Sequence, residues 1–426
     1  MLKRRAVLFG AAALLCLGLA ALRWMPRHAP APSLPAAKPA ASDTAPRIPA
    51  LPPSSAEASG TSPDAIPTTL LPENPGRTAA EWQALLTALA PEGYEARHPG
   101  MIARLADLML LHPGDVSWEA GTAAYLIEEI PVTELGKRLP LWQKAADLLP
   151  SNPAVSDALV RLALEKLPPE EIDALLKAQA GCFPEDPHLL WLRASLAFKG
   201  SHPEDALTLL KQASSLPPWE DWTGVSRMSS LDVREALGGP HSSLQVLMTS
   251  VGIVVPDLSK LKEAANAATA WAKDLQTQGD PGKAREVLEQ AVAMGRRFGE
   301  TRRSTFNHVF GNAIEKKALQ NLQALCLATG DAPGAETAAR RLEEIQAEKV
   351  AFCRWNDIRW AGFETSVAFR TYGSMEGSPE EDRIQAAENL LTPEEKALCE
   401  EYRHGDMPAF RAWQKSQQPP AAPSGP

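Results

Sequence analysis

The sequence predicts an all-α protein whose body is a stack of helical hairpins. Three observations predict it. Apolar residues recur at helical rather than alternating spacing. Alanine and leucine are abundant, while β-branched runs are scarce and there are only 4 Tyr. Proline- and glycine-containing turns recur between the periodic stretches. The clearest stretch is Leu189 to Pro218. Leu189, Leu192 and Leu196, with Trp191 and Phe198, form one apolar stripe. Lys199-Gly200 ends that helix, glycine tolerating a left-handed helix end. Ser201 is placed to cap the next helix and Pro203 suits its first turn. Ala206, Leu207, Leu210 and Ala213 form the second stripe, which Pro217-Pro218 stops. The small Ala206 and Ala213 let the two helices approach closely.

Other segments repeat this plan. Thr78 and Glu81 form a capping-box pattern ahead of Trp82, Leu85, Leu86 and Leu89. Helices follow over Met101–Leu111, ended by His112-Pro113-Gly114-Asp115, and over Trp118–Ile130. Leu141–Leu149 ends in Pro150-Ser151-Asn152-Pro153. Ala154–Lys166 pairs with Pro169–Ala180, closed by Phe183-Pro184. Pro217–Pro256 breaks the pattern: Trp219, Trp222, Gly224, Gly238-Gly239-Pro240 and the β-leaning Val251–Val255 read as an irregular insertion with one or two short helices. The pattern resumes in Asn266–Phe298 and Lys316–Ala347, with Glu300–Glu315 an extra or lengthened helix between them. Thr371–Ser378 reads as a loop. Ser378-Pro379-Glu380-Glu381 and Thr392-Pro393-Glu394-Glu395 read as helix starts, and Met407-Pro408-Ala409-Phe410 begins a last helix before a disordered tail, 417–426.

The unit resembles the tetratricopeptide repeat, about 34 residues with an early aromatic, small contact residues and a closing proline. Trp191, Ala194-Ser195, Phe198, Ala206, Leu210, Ala213 and Pro218 carry the resemblance in one copy. Trp271-Ala272, Leu275, Gly279, Ala284, Leu288 and Ala291 carry it in a second. Leu319, Leu322, Cys326, Gly330, Ala335, Ala339 and Leu342 carry it in a third. The resemblance implies a right-handed superhelical solenoid with a groove that binds a helix or an extended peptide. It divides the body into an N-terminal array (78–218), the insertion (219–256), a C-terminal array (257–348) and a C-terminal helical segment (349–416).

Ahead of the body, Lys3, Arg4 and Arg5 precede Ala6–Leu22, 17 residues without a charge. That run is about 25 Å long as a helix, slightly short of a hydrocarbon core. With Arg23, Trp24 and Pro26 as its flank, residues 1–25 read as a signal anchor, N-terminus cytoplasmic and body outside the cytoplasm. The competing reading is a cleaved signal peptide, with Gly18-x-Ala20 a weak cleavage site. Residues 26–77 read as a disordered Pro/Ala-rich linker, with 13 prolines between Pro26 and Pro75.

Formal charge is −9, but residues 1–80 carry a net +4 and the remainder a net −13. A net-acidic body argues against nucleic acid as a partner. Cys182, Cys326, Cys353 and Cys399 are dispersed, with no C-x-x-C pair and no metal-ligand spacing. No phosphate loop, dinucleotide fingerprint, H-E-x-x-H or G-x-S-x-G motif occurs. Catalytic residues, cofactor and metal are therefore all expected to be none. His98, His112 and His202 precede proline at turns and read as solvent-facing; His308 lies in a helix.

Two features are candidate partner-binding surfaces. Arg296, Arg297, Arg302 and Arg303, followed by Lys316 and Lys317, form a basic cluster suited to an acidic peptide, another protein or lipid head groups, or else a solvated helix face paired to Glu300 and Glu315. Trp219 and Trp222 are either an interface hot spot or a plug between the two arrays. The expected function is a non-catalytic, membrane-tethered scaffold for a protein partner in the cell envelope, periplasmic if the source is a bacterium; self-association is the third reading. The alternative is an enzyme or enzyme accessory whose site is completed by the insertion or the C-terminal segment.

Overall fold

The computed structural model describes residues 76–417, except 131–133, 241, 253–254, 302, 361–362, 364–365, 376 and 404. The expected anchor, the linker up to Pro75 and the tail from residue 418 lie outside the described residues. Those that are described form nineteen helices and no strand. The helices are α1 (Ala79–Leu89), α2 (Tyr94–Arg97), α3 (Met101–Leu111), α4 (Val116–Ile127), α5 (Leu135–Leu148), α6 (Pro153–Lys166) and α7 (Pro169–Cys182). Then come α8 (Pro187–Lys199), α9 (Pro203–Ser215), α10 (Val225–Ala236), α11 (Ser243–Gly252), α12 (Val255–Thr277) and α13 (Pro281–Gly299). The last described helices are α14 (Thr305–Thr329), α15 (Ala332–Trp360), α16 (Val367–Ser374), α17 (Glu380–Glu388), α18 (Pro393–Glu400) and α19 (Met407–Ser416).

Two kinds of turn recur with the same geometry. In the first, a helix ends on a residue with φ near −125° and ψ near +60°: His112 (−127°, 58°), Leu149 (−127°, 57°) and Phe183 (−124°, 69°). Each is followed by proline, one further residue and an Asp or Asn. Asp115, Asn152 and Asp186 each donate their amide to the carbonyl of that helix-end residue, at 3.3, 3.0 and 3.2 Å. Each then caps the next helix with its side chain. In the second kind, the short turn between paired helices contains one left-handed residue: Ser201 (φ 61°), Gly279 (82°) and Gly330 (77°). The next amide reaches the carbonyl five residues back: His202 to Ala197 at 2.9 Å, Asp280 to Leu275 at 2.9 Å, Asp331 to Cys326 at 2.8 Å.

This corrects the expectation for the first of these turns. Gly200 keeps an ordinary φ of −76°, and its neighbour Ser201 takes the left-handed conformation. The cap of α9 is His202, without a side-chain capping bond. The hydrogen bond from His202 to Ala197 fixes which residue must turn, and that register falls on a serine. Replacing Ser201 by glycine should raise the urea midpoint, with a gain of about 1 kcal/mol, because serine bears a steric cost that glycine does not.

Helices α8 and α9 pack as a pair, and α12 packs on α13, α13 on α14 and α14 on α15. Helix α12 also packs directly on α8, so the pairs on either side of 219–256 touch. Leu190, Trp191, Ala206 and Leu210 share one core with Leu261, Ala265, Met294 and Phe298. The stretch 219–256 is more regular than expected. It contains α10 and α11, and the β-leaning residues around 251–255 end α11 and begin α12. Helix α10 lies against α4, where Gly121 meets the Ser229 backbone. Helix α11 packs on α17 and α18. Buried Glu388 of α17 accepts the Leu244 amide at 2.9 Å and so caps α11 from a distant part of the chain. Arg403 pairs with Asp232 of α10. The segment Thr371–Ser374, expected to be loop, ends helix α16: Ser366 caps that helix, and Arg383 stacks 4.1 Å from the Tyr372 ring. Tertiary packing here overrides Gly373 and Ser374, which taken alone favour a turn.

Helices α13 and α14 approach closely. Gly295 and Gly299 on α13 face Gly311 and Glu315 on α14, backbone against backbone. That contact positions the groove described next.

Candidate partner-binding groove

Glu315 ties together two of the arginines that line the groove. It falls on the stripe that otherwise carries Gly311, Ala318 and Leu319, so its carboxylate is drawn inside, and the residue is 0% exposed. Both oxygens are held by guanidinium groups. Arg296 Nε donates to Oε1 at 2.9 Å. Arg341 donates Nε to Oε1 and Nη2 to Oε2, each at 2.9 Å. The Arg341 pKa is raised, first by its bonds to Glu315 and then, against burial, by Glu344. Arg341 Nη1 donates to Glu344 Oε2 at 2.9 Å. Above this triad, Arg296, Glu300, Thr337, Arg340, Arg341 and Glu344 line an open groove of about 380 Å³ between α13 and α15.

Of the four arginines expected to act together, the structure places only Arg296 here. Arg297 turns the other way and donates Nη1 to the carbonyls of Ala213 and Leu216 at 3.0 and 2.7 Å, closing the end of α9. Arg303 is half-buried. Burial lowers its pKa, and Asp221, Asp157 and Glu220 oppose that shift. Arg302 lies outside the described residues. Lys316 and Lys317 bond to Gln346 and Asn266, at 3.3 and 2.5 Å. The run of arginines is thus not brought together as one surface: successive residues at the end of α13 and in the following turn point in different directions.

Trp219 is buried. Its ring stacks on Phe298 at 4.9 Å and meets Trp191 edge-on at 6.2 Å. It joins α8 to α13, which fits the plug rather than the hot spot. Trp222 is half-buried against the N-terminal core. Below them is a polar junction. Asp221 accepts from Thr301 Oγ1 at 2.7 Å, Asn307 Nδ2 at 2.9 Å and the Thr223 amide at 3.0 Å. Arg161 pairs with Asp157 at 2.8 Å and donates to Thr223 at 2.9 Å. Burial pushes Asp186 up to about 7 and His188 down to about 4.

His98, His112 and His202 all lie at helix ends, as expected of turn histidines; the His112 ring stacks on Trp118 at 3.7 Å. His308 is buried and differs from them. Its Nδ1 donates to the Gly299 carbonyl at 2.6 Å, and its Nε2 faces Glu348 at 3.3 Å. Asn312 donates to the same carboxylate at 2.9 Å. His308, then Asn312, hold the Glu348 carboxyl down at about 2, against burial. A carboxyl with a depressed folded pKa stabilises the fold above its unfolded pKa and loses that contribution as pH falls. Stability should therefore drop between about pH 4.5 and pH 2 in urea titrations, and Glu348→Gln should flatten that part of the profile.

Cys326 and Cys399 are buried, Cys353 is half-buried and Cys182 is exposed; all four are free thiols. Among the described residues no group of His, Cys, Asp or Glu is placed to hold a metal ion. No described helix is long and apolar enough to cross a membrane. No protein-family model matches the chain, and no curated protein matches its sequence.

Glu315 was foreseen as a pairing partner of the arginine run, and Arg296 does pair with it, but its burial and the places of Arg340 and Arg341 were not foreseen. One signal was present: a carboxylate on an apolar helical stripe, which must be paired when buried.

Proposed function

We propose that this chain is a non-catalytic scaffold whose helical body binds a protein partner. The observation that carries the reading is the repetition of turn geometry. The connectors at His112, Leu149 and Phe183 recur after 37 and 34 residues, close to the period of the tetratricopeptide repeat. The left-handed turns at Ser201, Gly279 and Gly330 add a second repeated part. Units repeated in this way favour a solenoid, because one helical hairpin cannot bury its apolar face alone. A solenoid offers extended surfaces suited to a helix or a peptide. On this reading residues 1–25 anchor the protein, residues 26–77 space the body from the membrane, and the body lies outside the cytoplasm. The insertion and the C-terminal segment do meet, but the bonds of Glu388 to Leu244 and of Arg403 to Asp232 are a helix cap and an ion pair. They support a clasp that steadies the stack.

Two measurements test the proposal. An export-dependent reporter fused after residue 75 is expected to be active; a reporter active only in the cytosol would sink the orientation. Cross-linking in intact cells, then capture of the full-length protein, is expected to yield one dominant protein partner. That partner should be lost when the helical body is deleted and kept when the linker is shortened.

A further inference from the structure

We infer that the groove between α13 and α15 receives a single carboxylate side chain of the partner, seated between the terminal guanidinium nitrogens of Arg296 and the guanidinium of Arg340. The inference rests on the scaffold reading, since it names the chemistry of what the scaffold holds.

The hydrogen-bond inventory of the groove leads to it. All three Arg341 nitrogens are engaged and hold the side chain in place: Nε and Nη2 on Glu315 and Nη1 on Glu344. Thr337 donates its hydroxyl to the Pro333 carbonyl at 2.9 Å. Arg296 commits only Nε, to Glu315. Its Nη1 and Nη2 have no partner among the described residues, and the side chain is 47% exposed. Arg340 is exposed and likewise unpartnered among the described residues. Both line the same groove. These are the lining cations with nitrogens that no described residue engages.

The first of them is fixed in advance. A buried carboxylate pins Arg296 at Nε, so its terminal fork is oriented before any partner arrives, and less side-chain entropy is lost on binding. A guanidinium fork matches the planar geometry of a carboxylate, and arginine is enriched among residues that dominate interface energies. The lining acids limit the ligand. Glu300 and Glu344 border the groove, so its six side chains carry three positive and two negative charges. A dense polyanion would be repelled, whereas one Asp or Glu side chain, with a basic or neutral neighbour facing Glu300, is accommodated. Arg296 was visible in the sequence as part of a basic run; the structure replaces its expected companions with Arg340, forty-four positions away.

The test uses the full-length chain in its source cells. Arg340→Lys places an amine in the groove. A carbodiimide then joins that amine to any carboxylate it touches, forming an amide as the oxygen leaves on the carbodiimide as a urea. The expected product links residue 340 to an Asp or Glu of a different protein. Adducts only to Glu336 or Glu344 of the same chain, or to a second copy of it, would overturn the inference. In parallel, Arg340→Glu is expected to reduce partner capture by about tenfold or more, with helicity unchanged, since Arg340 has no described partner to lose. Unchanged capture by Arg340→Glu rejects the groove and leaves the scaffold reading standing. The absence of any partner, even with the unaltered chain, removes both.

Discussion

Gly311→Ala should be among the most destabilising single-methyl changes in this protein, costing about 3 kcal/mol. In an exposed helix the same change gains up to about 1 kcal/mol, because alanine loses less backbone entropy. Packing reverses the sign here. A Cβ on Gly311 would stand 2.5 Å from the Gly299 Cα and 2.6 Å from the Gly295 carbonyl oxygen. Those are backbone atoms of another helix and cannot rotate away as a side chain does. Helix α13 would have to withdraw from α14 along its last two turns. Gly295 meets the Glu315 backbone in the same crossing, with a built Cβ 2.9 Å from Glu315 Cα, so Gly295→Ala should act alike. Gly181→Ala is the control: it lies in α7 with nothing within 4 Å of a built Cβ, and should leave stability unchanged or slightly raised. Urea midpoints of the three variants check the ordering. Equal midpoints for Gly311→Ala and Gly181→Ala would show that the crossing is looser than drawn. Because α13 carries Arg296 and α14 carries Glu315, withdrawal would also part the two residues that shape the groove.

That crossing shows what was legible in the sequence and what was not. Helix content was legible, because amphipathic spacing and capping residues are local: Thr78 with Glu81 and Thr392 with Glu395 do form capping boxes. The repeated turns were partly legible. Gly279 and Gly330 announced themselves as glycines, whereas the equivalent turn falls on Ser201, and only the hydrogen bond from His202 to Ala197 reveals it. The destination of the stretch 219–256 was not legible. Helix α10 packs on α4 about a hundred residues earlier, and α11 takes its cap from Glu388. Such contacts depend on how the helical pairs are arranged, which no local pattern encodes. The arginine run was legible only in part, for the same kind of reason: Arg296 does pair with Glu315. Adjacency in sequence does not give a common face, and Arg296, Arg297 and Arg303 find separate partners or surroundings.

Glu315→Gln should lower stability by about 2–3 kcal/mol and weaken partner capture as well. The substitution keeps shape and volume, so no cavity enters the argument. It removes the negative charge that Arg296 and Arg341 share and leaves an amide that accepts fewer of their hydrogen bonds. Breaking one side of a buried pair costs about 3–5 kcal/mol, because the partner charge remains without compensation. The expected figure is lower, since Arg296 and Arg341 are 47% and 23% exposed and can swing toward water. Glu315 itself is 0% exposed, so the loss should persist at high ionic strength, unlike that of a surface pair. Denaturation in low and high salt checks this; a loss that vanishes in salt would mean the triad is hydrated. Set beside Arg340→Glu, the variant also separates two roles. Arg340→Glu should lose capture at unchanged stability, because Arg340 only offers its charge. Glu315→Gln should lose both, because it holds the helices and the binding arginine together. A variant of Glu315 that lost stability but kept full capture would show that Arg296 does not need its anchor, and the preorganised fork would no longer be the basis of recognition.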